Sequence, residues 1–111
     1  MTINGKTIDS RIADMVERIV KAAQPDQVIL FGSRATGTAR PDSDVDLLVV
    51  MPLRKPRRRL EGDLHAIVAD SELSKDILVV TSEELERFRH VPGTIIGPAL
   101  ESGLVVYHHA A

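Results

Sequence analysis

The sequence predicts an α/β domain in which a mixed β-sheet of about four strands packs against helices. Short apolar runs bounded by turn-forming residues predict the strands, and the segments between them carry apolar residues at helical spacing. The resulting order, α-β-α-β-α-β-α-α-β, is the alternation typical of an α/β fold. Because 111 residues suit one compact unit, we expect residues 1–111 to form a single domain.

The first two predicted elements are a helix and a buried strand. Apolar residues recur at helical spacing over residues 8–23, where Asp9 or Ser10 can cap the helix and Pro25 ends it. Residues 28–31 are a short apolar run directly after that proline. A run of this length and position predicts a buried strand.

The middle of the chain predicts a second strand and a long helix. The small, turn-prone residues 32–38 leave room for one or two helical turns. Residues 45–50 are apolar on both faces, so we expect this strand to be covered on both sides. A helical stripe that starts near Pro56 and runs to Val68 predicts the next helix.

The last third of the chain predicts two strands and two helices. Residues 76–80 predict a third strand, and Thr81 and Glu84 form a capping-box pattern that starts a helix at once. A further short helix is predicted over residues 94–103, and we interpret its final glycine as a left-handed cap. Residues 104–107 predict the last strand, at an edge of the sheet.

Composition limits the classes of function. With 43% hydrophobic and 27% charged residues, the chain resembles an ordinary soluble protein. The absence of cysteine excludes disulfides and cysteine-ligated zinc. The start of the chain lacks a signal-peptide pattern, and no apolar run is long enough to cross a bilayer. We therefore expect a cytoplasmic protein with no membrane contact.

The overall charge of the chain is close to neutral, but one segment is strongly basic. The net charge of −2 does not favour broad attraction to nucleic acid, so we do not expect direct nucleic-acid binding. Residues 53–59, however, hold five basic residues in seven. This basic stretch is either a solvated loop and helix start or a docking patch for an acidic partner, RNA or a triphosphate.

Two acidic residues stand at the start of the second predicted strand. Asp44 and Asp46 are two residues apart, so their side chains project from the same face of a strand whose other residues are apolar. Two like charges at the edge of a core repel each other and are costly unless a cation compensates them. Hard oxygen ligands of this kind suit Mg²⁺, with Mn²⁺ as an alternative.

A third carboxylate constrains the topology. Asp76 also begins an apolar strand, and if it meets Asp44 and Asp46 at one site, the second and third strands run parallel. The helix between them is then the crossover that parallel pairing requires. If the end of the first strand joins the same site, the first and second strands run antiparallel, which predicts a mixed sheet.

The turn after the first strand has the composition of a phosphate-binding turn. Gly32 allows the backbone to approach a ligand closely, and the helical turn that follows offers free N–H groups to phosphate. The Ser33 hydroxyl can donate to a phosphate oxygen. Arg34 has a planar fork suited to bidentate phosphate contacts, so we expect it to assist.

Residues 32–34 (Gly-Ser-Arg) followed by residues 43–46 (Ser-Asp-Val-Asp) resemble the pattern of nucleotidyltransferase domains, which is Gly-Ser, a spacer and Asp-x-Asp. The tight form here is similar to the minimal nucleotidyltransferases (MNT) that partner bacterial and archaeal HEPN proteins, and residues 74–76 and 91–95 also fit that group.

This resemblance implies a DNA-polymerase-β-like nucleotidyltransferase fold and two Mg²⁺ ions held at Asp44, Asp46 and Asp76. It also implies transfer of AMP from ATP, or of another nucleotide from its triphosphate, onto a tyrosine of a HEPN toxin. The protein would then be an antitoxin that acts by adenylylation, in a hetero- or homo-oligomer.

Two other functions stay open. The chain could be an antitoxin that neutralises its partner by binding alone, without catalysis. It could also be a metal-dependent phosphohydrolase or nuclease that uses the three carboxylates, although that reading gives no reason for the Gly-Ser turn.

Overall fold

The computed structural model describes residues 2–3 and 5–109. The strands are β1 (Thr2–Ile3), β2 (Lys6–Thr7), β3 (Gln27–Phe31), β4 (Val45–Val50), β5 (Lys75–Val80) and β6 (Leu104–His108). The helices are α1 (Ser10–Ala23), α2 (Ser33–Thr36), α3 (Arg57–Ile67), α4 (Ser82–Phe88) and α5 (Ile96–Ser102). None of these helices is both long and apolar enough to cross a membrane.

The main sheet is mixed and has four strands in the order β5-β4-β3-β6. β4 and β5 run parallel, with α3 as the crossover between them, and β3 runs antiparallel to both β4 and β6. The predicted strand directions are therefore confirmed. They had been inferred by placing three carboxylates and the Gly-Ser turn at one edge of the sheet. β6 is an edge strand, as predicted.

Helices cover both faces of this sheet. α1 and α3 bury their apolar stripes against one face, where the alternate β4 residues Val45, Leu47 and Val49 meet them. α4 and α5 cover the other face, where Leu48 and Val50 lie. The apolar character of β4 on both faces thus reflects burial on both faces, as predicted.

The predicted signals at helix ends are present. Asp9 caps α1 by accepting a hydrogen bond from the backbone N–H of Arg11 at 2.8 Å. Thr81 and Glu84 form the reciprocal capping box at the start of α4. α1 ends at Gln24, whose positive φ of 49° turns the chain toward β3.

One predicted cap is wrong. Gly103 follows α5 with a φ of −80°, in extended backbone rather than a left-handed conformation. A Cβ at this position would collide with the carbonyl oxygen of Ala99 and crowd Ile29. The glycine is therefore required by close packing between α5 and the sheet. The helix also starts at Ile96, two residues later than predicted.

One element was not predicted from the sequence, the N-terminal hairpin formed by β1 and β2. Thr2 pairs with Thr7 and Ile3 with Lys6 in antiparallel register. Strands of two residues are too short to produce a detectable alternation of apolar and polar residues. The hairpin nevertheless bears on the site, because Lys6 reaches α2.

Candidate active site

The site lies where β4 and β5 begin and β3 ends. Asp46 is paired with Phe31 of β3 on one side and with Asp76 of β5 on the other. Asp44 precedes β4 by one residue, and the two-residue period of an extended chain points its side chain toward the same face as Asp46. The sheet thus brings the three predicted acidic residues to one edge.

Burial and mutual repulsion act on the central acid. Asp46 is half-buried, whereas Asp44 and Asp76 are exposed. Burial raises the pKa of the Asp46 carboxyl above its ordinary value, and the negative charges of Asp76 and Asp44 raise that pKa further. Among the described residues, no basic side chain forms an ion pair with any of the three. The cluster therefore carries negative charge that protein groups leave uncompensated.

This donor set fits a divalent cation in chemistry and in charge. Carboxylate oxygens are the ligands that Mg²⁺ prefers, and a cation would relieve the repulsion at Asp46. Within residues 2–3 and 5–109, however, no three acidic or histidine side chains already converge as a closed metal-binding group. Because Asp44 and Asp76 are exposed, rotation of their side chains can bring oxygens toward an ion beside Asp46.

Gly32 packs directly against the central carboxylate. Its φ of 76° lies in the left-handed region, and a Cβ at this position would collide with the Oδ2 of Asp46. A side chain is therefore excluded for two independent reasons. The glycine was predicted to let the backbone approach a ligand, and the structure gives it a second role, which is to make room for Asp46.

Ser33 begins α2 immediately after this glycine. The amides of Ala35 and Thr36 both donate to the carbonyl oxygen of Gly32, which closes the first turn, and Gly37 ends the helix with a φ of 83°. Ser33 is half-buried and lies one residue from the contact between Gly32 and Asp46. The Gly-Ser turn and the acidic residues are thus neighbours, as the sequence predicts.

Arg34 has partners that the sequence did not predict. Its Nε and Nη2 donate to the carbonyl oxygen of Ser43 at 3.1 and 2.9 Å, and Nη2 also donates to the carbonyl of Pro41 at 3.3 Å. We expected this guanidinium to face a triphosphate. In the structure the donors on Nε and Nη2 are engaged by the loop that leads to Asp44.

The basic stretch, residues 53–59, lies at the opposite end of the sheet. It follows the end of β4 and leads into α3, while the acidic residues stand where β4 and β5 begin. Arg57 donates to the carbonyl oxygen of Val79 and forms a bidentate ion pair with Glu84. A contact between this stretch and a triphosphate at the acidic edge is therefore not supported, and Arg57 has a structural role.

Sequence reasoning also missed Lys6. Its Nζ donates to the carbonyl oxygen of Ala35 at 2.9 Å, so the N-terminal hairpin is tied to α2. No motif links Lys6 to Ala35, 29 positions further along the chain. Only the tertiary structure reveals this contact.

A mixed four-stranded sheet with helices on both faces, acidic residues at the start of two parallel strands and a Gly-Ser turn beside them define a nucleotidyltransferase. The sequence of residues 10–102 matches the nucleotidyltransferase domain, and the chain belongs to this family. No curated protein matches the chain.

Two solved structures are similar to this chain. A candidate nucleotidyltransferase from Sulfolobus solfataricus is 18% identical with a TM-score of 0.59, over 90% of this chain and 79% of that one. A toxin–antitoxin protein crystallised with AMP-PNP is 16% identical with a TM-score of 0.52, over 90% of this chain and 73% of that one. At these identities, both likenesses establish the nucleotidyltransferase fold.

Proposed function

We propose that this protein transfers a nucleoside monophosphate, specifically AMP from ATP, onto a hydroxyl group of its acceptor. The observation that carries the proposal is the placement of Asp44, Asp46 and Asp76 at one sheet edge, where the Asp46 carboxylate lies against Gly32 of the Gly-Ser turn. Uncompensated carboxylates beside a turn with free N–H and hydroxyl groups suit a triphosphate and its counter-ions.

Asp44, Asp46 and Asp76 would hold two Mg²⁺ ions. Bound there, the ions would supply positive charge to the attacking and leaving oxygens of the displacement. Mn²⁺ has the same ligand preferences and could replace Mg²⁺.

The chain's own groups have separate tasks in this proposal. Ser33 would donate its hydroxyl to the phosphates beyond the reacting one, and the backbone at Gly32 would approach them. The acceptor oxygen attacks the α-phosphorus, the bond from that phosphorus to the bridging oxygen breaks, and pyrophosphate leaves. Asp76, which is exposed and pairs with Asp46 across the sheet, would accept the proton of the acceptor hydroxyl.

For the acceptor we propose a tyrosine of a partner toxin of the HEPN family. A phenol with a pKa near 10 loses its proton more easily than an aliphatic hydroxyl, so one exposed carboxylate suffices as the base. The similarity to a toxin–antitoxin protein crystallised with AMP-PNP supports this choice. The protein would then act as an antitoxin by adenylylation.

The experiment is transfer of label from α-³²P-ATP, with Mg²⁺, to the proposed acceptor, a toxin of the HEPN family. We expect Asp44→Asn and Asp46→Asn to lower the rate at least about a hundredfold, since charge stabilisation at such sites is worth several kcal/mol. Asp42→Asn is the matched control, because Asp42 is exposed on the same loop and lies outside the acidic cluster. Absence of labelled toxin with the wild-type protein contradicts this acceptor.

A second candidate function is neutralisation of the partner by binding alone. It is favoured by a cleft of about 510 Å³ that is lined by α5 and by the segment that connects α4 to α5. That segment exposes the apolar residues Val91, which lines the cleft, and Ile95. Protection of cells that express the toxin distinguishes the two functions. Catalysis requires Asp46→Asn to lose protection, whereas neutralisation by binding leaves that variant protective.

A further inference from the structure

Arg34 connects the two halves of the site. It belongs to α2, one residue after Ser33, and its guanidinium reaches the end of the loop that connects α2 to β4. Three hydrogen bonds from Nε and Nη2 end on two carbonyl oxygens of that loop, those of Ser43 and Pro41. Arg34 is half-buried, so these bonds are only partly exposed to competition from water.

The carbonyl that receives two of these bonds belongs to the peptide unit that joins Ser43 to Asp44. On the other side of Asp44, the amide of Val45 donates to the carbonyl oxygen of Ser74 at 2.8 Å. Asp44 is therefore held between two fixed peptide groups. One is attached to α2 by Arg34, and the other is attached to the segment that leads into β5 and Asp76.

Near its start, the loop is also attached to α2, because the amide of Thr38 donates to the carbonyl oxygen of Ser33 at 3.1 Å and the hydroxyls of Thr36 and Thr38 lie 2.9 Å apart. Within it, the amide of Arg40 donates to the Ser43 hydroxyl at 2.8 Å, and the amide of Ser43 donates to the carbonyl of Arg40 at 3.0 Å. These contacts shape the turn but do not attach it to the Gly-Ser side of the site. Of the side chains described, Arg34 attaches the end of the loop, at Pro41 and Ser43, to α2.

We propose that Arg34 is a positioning residue, which holds Asp44 in place for the cation site through the Ser43 carbonyl and does not bind the triphosphate. This inference rests on the proposed function, because it assigns the cation site to Asp44 and Asp46. The planar guanidinium fork can hold two carbonyls at a fixed separation, whereas a lysine ammonium is a point charge on a flexible stem. Positioning therefore predicts that lysine replaces Arg34 poorly, although it keeps the charge.

The test begins with hydrogen exchange of the metal-free protein. We expect Arg34→Ala to increase exchange at the amides of residues 38–45, and Arg34→Lys to do so to a smaller extent. Arg40→Ala is the matched control, because its exposed side chain carries the same charge on the same loop and only its backbone restrains the turn. Circular dichroism checks that each variant is folded, and Arg34→Lys keeps the test available if Arg34→Ala does not fold.

The second readout is Mn²⁺ affinity in the absence of nucleotide. We expect Arg34→Ala to weaken it about tenfold, as is typical when a group that orients a metal ligand is removed. Arg40→Ala should leave it unchanged. If Arg34 instead contacts the triphosphate, Arg34→Ala should leave Mn²⁺ affinity unchanged. It should weaken nucleotide binding, and the loss of nucleotide affinity should be larger for ATP than for AMP.

The outcomes separate this inference from the proposed function. Unchanged exchange in Arg34→Ala, or a loss confined to ATP binding, overturns the positioning role. If the wild-type protein binds neither Mn²⁺ nor nucleotide while Arg34→Ala still loosens residues 38–45, the loop attachment is supported and the proposed function is rejected.

Discussion

At the residue scale, the contact between Gly32 and Asp46 couples backbone conformation to the acidic site. Gly32 combines a positive φ with a neighbouring carboxylate oxygen in the space that a Cβ would take. Each feature alone disfavours a side chain. Together they make Gly32 less tolerant of substitution than an ordinary turn glycine.

We predict that Gly32→Ala destabilises the protein by roughly 1–3 kcal/mol, because it adds backbone strain and displaces Asp46. Urea unfolding measures the free energy, and nucleotide titration measures the effect on the site. Gly62→Ala is the matched control. Gly62 lies in α3 with open space around it, so alanine there should stabilise by roughly 0.5–1 kcal/mol. Equal stability of Gly32→Ala and wild type contradicts the packing argument.

The raised pKa of Asp46 predicts that this residue reduces stability in the metal-free protein. A carboxyl whose folded pKa lies above its ordinary value of 3.8 costs stability progressively as pH rises from 3.8 through the folded pKa. We expect Asp46→Asn to raise the melting temperature at pH 7 without divalent ions, and the difference from wild type to vanish below pH 3.8. Scanning calorimetry at several pH values measures this difference in melting temperature.

Mg²⁺ should reverse the order of the two melting temperatures, so that the wild-type protein melts above Asp46→Asn. Saturating Mg²⁺ stabilises the wild-type protein by mass action and should have little effect on Asp46→Asn, which lacks the central ligand. A wild-type melting temperature that exceeds that of Asp46→Asn in the absence of metal is inconsistent with carboxylate repulsion.

At the element scale, side chains from α3 protect the free edge of β5. Glu61 accepts from the backbone N–H of Val79 at 2.8 Å, and Arg57 donates to the carbonyl of the same residue at 2.7 Å. Both outward-facing polar groups of Val79 are thereby satisfied, which blocks pairing with another strand. Arg57 continues to Glu84, so one network joins α3, β5 and the capping box of α4.

This network predicts a pH dependence of stability. The Arg57 guanidinium, together with the Thr81 amide, lowers the pKa of Glu84 from 4.5 to about 2. Because the folded pKa is depressed, the stabilisation is complete above pH 4.5 and is lost as pH falls through about 2.

We expect Glu84→Gln to cost roughly 1 kcal/mol at pH 7, the scale of a cap and a partly exposed ion pair. The variant should also have a flatter stability profile over that acid window. Urea midpoints measured against pH test this. Glu86→Gln on the same helix is the control, since its ion pair with Arg89 is exposed and its removal should change stability by less than about 0.5 kcal/mol.

At the scale of the whole molecule, the sequence predicts the architecture because chemistry and topology constrain each other. Asp76 can meet Asp44 and Asp46 only if β4 and β5 run parallel. The Gly-Ser turn can join them only if β3 runs antiparallel to β4. The structure has these directions, and it places α3 as the crossover. Apolar periodicity alone gives the elements but not their directions.

Features that depend on contacts between distant residues could not be predicted. Arg34 was expected at the triphosphate because a guanidinium beside a Gly-Ser turn suits phosphate, and its hydrogen bonds to the carbonyls of Pro41 and Ser43, seven and nine positions away, have no signal in the sequence. Gly103 was interpreted as a cap because it follows a helix, whereas its role is set by the proximity of Ala99 and Ile29. Lys6 belongs to a hairpin whose strands are too short to be recognised by pattern.

The central claim is that Asp44, Asp46 and Asp76 share divalent cations beside a triphosphate held at Gly32 and Ser33. A crystal structure with Mn²⁺ and a non-hydrolysable ATP analogue tests it most directly, because anomalous scattering locates the metal. We predict anomalous peaks within bonding distance of all three carboxylates, with the phosphates over the Gly-Ser turn. Nucleotide bound elsewhere, or Asp76 outside the coordination of every bound metal, contradicts the account.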